Sequence, residues 1–164
     1  MSDIVKIQFR KELIADFFAG VFGKSHKGVI KISRQHDIGK LIYSLIKYSE
    51  FALPEFVKSY DNYTVVDISL PLCTLSTAQS YYLYLTKEDQ LRINDYVTAF
   101  FNQEIRAFLI MGQEMNIQQK DIIEMFMAQY KLDQDKHAGL VKKDYRWRMN
   151  VQKKIHEMAK TYGI

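Results

Sequence analysis

A chain of 164 residues that is 48% hydrophobic, 26% charged and 13% aromatic has the make-up of a globular protein with ample core material, which argues against an intrinsically disordered chain. Its one cysteine, Cys73, excludes an intramolecular disulfide and a thiolate metal cluster, and the start MSDIVKIQF lacks the basic-then-apolar pattern of a signal peptide, so a reducing, cytoplasmic setting is expected. The formal charge of +4 is unevenly spread: residues 1–85 hold 10 Lys/Arg against 8 Asp/Glu, residues 86–135 hold 5 against 9, and residues 136–164 hold 8 against 2.

Val5, Ile7 and Phe9 alternate with Lys6, Gln8 and Arg10, the period of a half-buried strand. From Lys11 the period changes. Leu13, Ile14, Phe17, Phe18, Val21 and Phe22 follow helical spacing, and Gly23 is placed to end that helix. Val29, Ile30 and Ile32 predict a second strand, and Asp37 is the expected cap of a helix whose face is Ile38, Leu41, Ile42, Leu45 and Ile46. Residues 49–62, broken at Pro54, read as a loop. Residues Tyr63 to Leu70 read as a strand stopped by Pro71, and Tyr81 to Leu85 as a short fourth strand or the approach to the next helix.

The longest apolar stripe runs between Thr86 and Met115. Thr86 is a natural N-cap, Glu88 and Asp89 occupy the first turn, and Ile93, Val97, Phe100, Phe101, Ile105, Phe108 and Leu109 recur at three- and four-residue steps. A stripe with three phenylalanines requires cover, which predicts a central core helix. Ile122, Ile123, Phe126, Met127 and Tyr130 mark a further helix. After Asp133-Gln134-Asp135, with Asp135 as the expected cap, Leu140, Val141, Trp147, Val151, Ile155, Met158 and Tyr162 thread along one helix, or along two with a joint near Asn150. The chain is therefore expected to be α+β, with three to four strands and two helices in residues 1–85 and an all-helical half in residues 86–164, together one compact unit.

Residues Phe18 to Ser25, FAGVFGKS, end like a phosphate-binding loop, but Phe18 stands where the first glycine must be and the preceding residues read as helix. Histidines 26, 36, 137 and 156 lack the spacing of a metal site, Cys73 has no activating neighbour, and Glu50 and Glu55 have no partner array, so no catalytic residue, cofactor or metal is expected and the chain reads as a non-enzyme.

The informative segment is KKDYRWR together with the lysines C-terminal to it. Lys142, Lys143, Arg146 and Arg148 are interleaved with Tyr145 and Trp147, and Lys153, Lys154 and Lys160 come after. Guanidinium and ammonium groups beside aromatics suit phosphate contact, and helix, short break, helix is the order of a helix-turn-helix unit. Lys142, Lys143, Arg146, Arg148, Lys153 and Lys154 are the expected phosphate contacts, with Arg146 and Arg148 the residues able to reach a guanine edge. Lys142, Arg146 and Lys153 share a helical face, Trp147 extends the apolar stripe, and Lys24, Lys27, Lys31 and Arg34 are candidates to extend the basic surface. The expected function is a small DNA-binding accessory protein, DNA being favoured over RNA. The alternative is a structural or adaptor protein acting through protein partners, with a homo-oligomer allowed and no membrane span.

Overall fold

The computed structural model describes residues 4–23, 28–51, 63–70 and 82–163. Its elements are β1 (Ile4–Phe9), α1 (Glu12–Val21), β2 (Ile30–Lys31), α2 (Asp37–Leu45), β3 (Lys47–Ser49), β4 (Thr64–Ser69), β5 (Tyr82–Tyr84), α3 (Lys87–Glu114), α4 (Gln119–Gln129), a 3-10 turn (Gln134–Lys136) and α5 (His137–Tyr162). The protein is α+β, with every described strand before α3. The chain forms two compact units: Met1–Asn102 with Tyr130–Leu132, and Gln103–Gln129 with Asp133–Ile164. Their division falls within α3, so the first turns of that helix belong to the strand-bearing unit.

In the strand-bearing unit the sheet order is β1-β4-β2, with β1 antiparallel and β2 parallel to β4. Register places Val5 opposite Ile68 and Ile7 opposite Val66, so alternation on both strands turns the same face inward. The outer face carries the Lys6–Asp67 ion pair, 2.8 Å between directly opposed residues. Helix α1 is buried from Ile14 through Gly20. Phe17 stands edge-on to Phe101 at 5.1 Å and lies 4.6 Å from Tyr130, while Phe18 meets Phe9 at 5.1 Å. Gly20 is required there, because a Cβ would fall onto the carbonyl of Tyr130. Gly23, at φ 70°, ends the helix in the left-handed region.

Several expectations need correction. The cap of α2 is His36, not Asp37: His36 is extended and its Nδ1 accepts the Ile38 N–H at 3.1 Å, while Asp37 is already the first helical residue and pairs with Lys40 at 2.9 Å. Residue 49 does not begin a loop but closes β3, a strand too short and too polar to show a period; it pairs antiparallel with β5. Residues 52–62 of that predicted loop, with Glu55, lie outside the described residues, as do Pro71, Cys73, His26, Lys24, Ser25 and Lys27. Asp135 does not cap the last helix. It sits within the 3-10 turn, and α5 starts from Lys136 without a side-chain cap. Helix α5 is unbroken at Asn150.

The start of α3 is built as a reciprocal cap. Thr86 Oγ1 accepts the Asp89 N–H at 3.1 Å, and Asp89 Oδ2 accepts the Thr86 N–H at 3.0 Å and the Thr86 hydroxyl at 2.6 Å. Lys47 on β3 adds its ammonium to the same oxygen at 3.0 Å. Burial alone raises the Asp89 carboxyl, but the hydrogen bonds from Thr86 and Lys47 and the Lys47 charge outweigh it and hold the group below the ordinary carboxylate range. A folded-state value below the unfolded one means that ionised Asp89 stabilises the fold above the unfolded value, and that this contribution is lost as pH falls through the folded one. Asp89→Asn is expected to cost about 2 kcal/mol at neutral pH and to flatten the decline in stability below about pH 4. Denaturation midpoints of both proteins across that pH range check this; parallel curves would contradict it.

Candidate nucleic-acid interface

The helical unit contains the C-terminal turns of α3 together with α4 and α5. Ile105, Leu109, Ile122, Ile123, Phe126, Met127 and Leu140 are buried, and Phe108 stands edge-on to Phe126 at 5.2 Å. Gly112 lets Ile122 approach the α3 backbone, since a Cβ there would overlap the Ile122 side chain. Helix α5 contributes Leu140 and Asp144 to the interior, with Trp147 and Val151 half-buried on the same side. The Arg106 guanidinium lies 5.6 Å from the centre of the Trp147 ring, so Trp147 is a packing residue.

That inward side fixes where every cation of α5 falls. Lys142, Arg146, Lys153 and Lys160 are all exposed and succeed one another at steps of four, seven and seven. With 3.6 residues per turn such steps return to one side, and the five turns from Lys142 to Lys160 span about 27 Å. The ridge they form is opposite the side carrying Leu140 and Asp144. Lys153 lies 3.9 Å from Glu157, an exposed pair that neutralises little. Lys143 and Lys154 sit eleven residues apart on one flank, Lys143 half-buried and Lys154 exposed.

Arg148 is not brought to this ridge. It is on the inward side, where its Nη2 donates to Asp144 Oδ2 at 2.6 Å, and Gln119 Nε2 at the start of α4 donates to the same oxygen. Asp144 is thus a buried tie between α4 and α5. Of the six residues predicted from sequence, the structure aligns Lys142, Arg146 and Lys153, sets Lys143 and Lys154 beside them and holds Arg148 away. Lys160 completes the ridge; its signal was its distance of five whole turns from Lys142.

The connection from α4 to α5 runs from Tyr130 to Lys136 and includes the 3-10 turn, longer than the three- or four-residue turn of helix-turn-helix units. Lys31 and Arg34 belong to the strand-bearing unit, where the Arg34 guanidinium lies 4.2 Å from the centre of the Tyr43 ring. His36 is a capping residue, and His137 and His156 are on α5. Glu50 is exposed. No helix among the described residues is long and apolar enough to cross a membrane. No family model, curated protein or solved structure matches the chain.

Proposed function

We propose that this chain is a cytoplasmic nucleic-acid-binding accessory protein, acting by binding rather than catalysis, that sets the cationic ridge of α5 against a phosphate backbone. The observation that carries the reading is the alignment of Lys142, Arg146, Lys153 and Lys160 on one exposed side of a single helix. Four cations at one- and two-turn intervals meet a run of phosphates without rearrangement, and Lys143 and Lys154 lie close enough to add to the field. Duplex DNA is favoured over RNA because the major groove of B-form DNA admits an α-helix, whereas that of A-form RNA is too narrow. Arg146, with five donors in a planar fork, is the side chain on the ridge suited to a guanine edge. Arg148 contributes to the fold of the unit rather than to the interface.

Binding of this kind releases counterions. Four phosphate contacts predict that the logarithm of the binding constant falls with the logarithm of salt at a slope of about −3.6. Arg146→Ala and Lys153→Ala are each expected to reduce that slope by about 0.9, while Lys40→Ala in the strand-bearing unit leaves it unchanged. Fluorescence anisotropy with a labelled duplex at graded salt provides the measurement. Absence of binding at low salt, or a slope indifferent to Arg146, would overturn the reading in favour of a protein-binding adaptor.

A further inference from the structure

The C-terminal half of α5 leaves an apolar seam uncovered. Val151 is half-buried, but Ile155, Met158 and Tyr162 are 61%, 59% and 73% exposed. Their steps of four, three and four are those of a two-helix seam. The seam is one side chain wide, narrower than the apolar face with which a helix lies on a bilayer. It continues the line of Leu140, Asp144 and Trp147, so the same side of α5 is packed at its start and bare at its end.

We infer that this seam pairs with the same seam of a second copy of the chain, the two α5 ends running antiparallel. The order four, three, four reads identically in both directions about the midpoint between His156 and Glu157. A copy related by a twofold axis there sets Val151 against Tyr162 of the second copy, and Ile155 against Met158 of the second copy. The smallest side chain meets the largest, and two of similar volume meet each other, so both layers fill evenly. A parallel copy would instead stack Tyr162 on its own counterpart and leave a gap at Val151.

Charge agrees with this occupant. The positions flanking the seam are Gln152, Lys154, Ala159 and Thr161, of which only Lys154 is charged. In the antiparallel arrangement the twofold axis sets the Lys154 flank against the same flank of the second copy, where Lys154 lies beside Thr161 and the second Lys154 falls about 7.5 Å further along the axis, so no like charges stand directly opposite each other. A flank this neutral offers little to an acidic helix of another protein, and antiparallel helices also oppose their dipoles. Area sets the strength: four side chains cover roughly 400 Å² per subunit, against roughly 800 Å² per partner in a standard stable complex. The dimer is therefore weak and forms as concentration rises. The cationic ridge lies on the other side of α5 and stays exposed, so this inference stands independently of the nucleic-acid reading.

The test is sedimentation equilibrium of the full chain from about 5 µM to about 500 µM. The mean mass is expected to rise from that of one chain toward that of two, and Ile155→Glu, at a residue already exposed, should weaken association by about tenfold or more while leaving the circular dichroism unchanged. Orientation is read by disulfide trapping in a Cys73→Ser background: Val151→Cys mixed with Tyr162→Cys should cross-link the two variants to each other, and neither should cross-link to itself. A monomer throughout the range overturns the inference. So does self-cross-linking of Val151→Cys, which indicates a parallel pair, and so does a monomer whose binding to anionic vesicles is lost with Ile155→Glu, which assigns the seam to a bilayer.

Discussion

Replacing Arg148 with methionine is expected to destabilise the helical unit by about 3–5 kcal/mol, more than replacing its partner Asp144 with asparagine. The asymmetry comes from unequal access to water. The Asp144 side chain is 0% exposed and that of Arg148 is 38% exposed. Without Arg148, the carboxylate stays in the interior with Gln119 as its donor, and a buried charge without its counter-ion is among the costliest defects a core can hold. Without the Asp144 charge, the guanidinium can turn toward solvent, and the asparagine oxygen still accepts from Gln119; a cost of about 1–2 kcal/mol is expected. Removing both charges together, with Asp144→Leu and Arg148→Met, should recover much of the loss, because no buried charge is left without its counter-ion and only the half-buried Gln119 amide loses an acceptor. Trp147 is the sole tryptophan and packs in this unit, so its fluorescence during urea denaturation reports the unit directly. Equal costs for the two single substitutions, or a double variant no better than Arg148→Met, would show that the pair is not the tie described.

This pair marks where the sequence is legible and where it is not. Alternation in Val5, Ile7 and Phe9 and the long stripe from Ile93 to Leu109 are local patterns, and the structure buries those strand residues and most of that stripe. Thr86 as a cap was legible for the same reason, since its partner Asp89 is three residues away. Lys47, the third member of that cluster, comes from a strand of three residues with two exposed, too short for any period to register. On α5 the mutual spacing of Lys142, Arg146 and Lys153 was readable, and the stripe of Leu140, Trp147 and Val151 gave the inward side. What was not readable is that Asp144 is buried on that side, because an aspartate in a lysine- and arginine-rich segment reads as a surface residue. Its partner Gln119 is 25 residues away. With Asp144 buried, an ordinary i, i+4 ion pair draws Arg148 off the ridge and leaves it half-exposed. Exposure of Ile155, Met158 and Tyr162 was hidden for a related reason: a continuous apolar stripe carries no sign of where its cover ends.

A second interior polar group predicts a comparably large effect in the strand-bearing unit. Among the described residues strand β1 pairs with β4 on one side only, and no described strand pairs with its other edge. Side chains of α3 complete that edge. Asn94 Oδ1 accepts the Arg10 N–H at 3.1 Å, its Nδ2 donates to the Gln8 carbonyl at 2.7 Å and to the Gln90 carbonyl at 2.9 Å, and Gln90 Oε1 accepts the Gln8 N–H at 3.1 Å. A carboxamide carries both an acceptor and donors, which is what an edge presenting N–H and C=O in alternation requires. Asn94→Leu, of similar size but unable to bond, leaves the Arg10 N–H and the Gln8 carbonyl without their partner at a part-buried site, at about 1–3 kcal/mol each. Asn94→Ala opens space for water and should cost less, about 2 kcal/mol. Asn94→Asp keeps an acceptor for Arg10 but turns a carboxylate toward the Gln8 carbonyl, and is expected to rank with leucine. Gln90→Ala releases one N–H at a more accessible position and should cost about 1 kcal/mol. Amide hydrogen exchange separates this from a general loss of stability, because the latch predicts that Arg10 loses protection first and most, ahead of the β1 amides bonded to β4. An Arg10 amide that exchanges no faster in Asn94→Leu than in the parent would mean that the strand edge is closed by something other than this side chain.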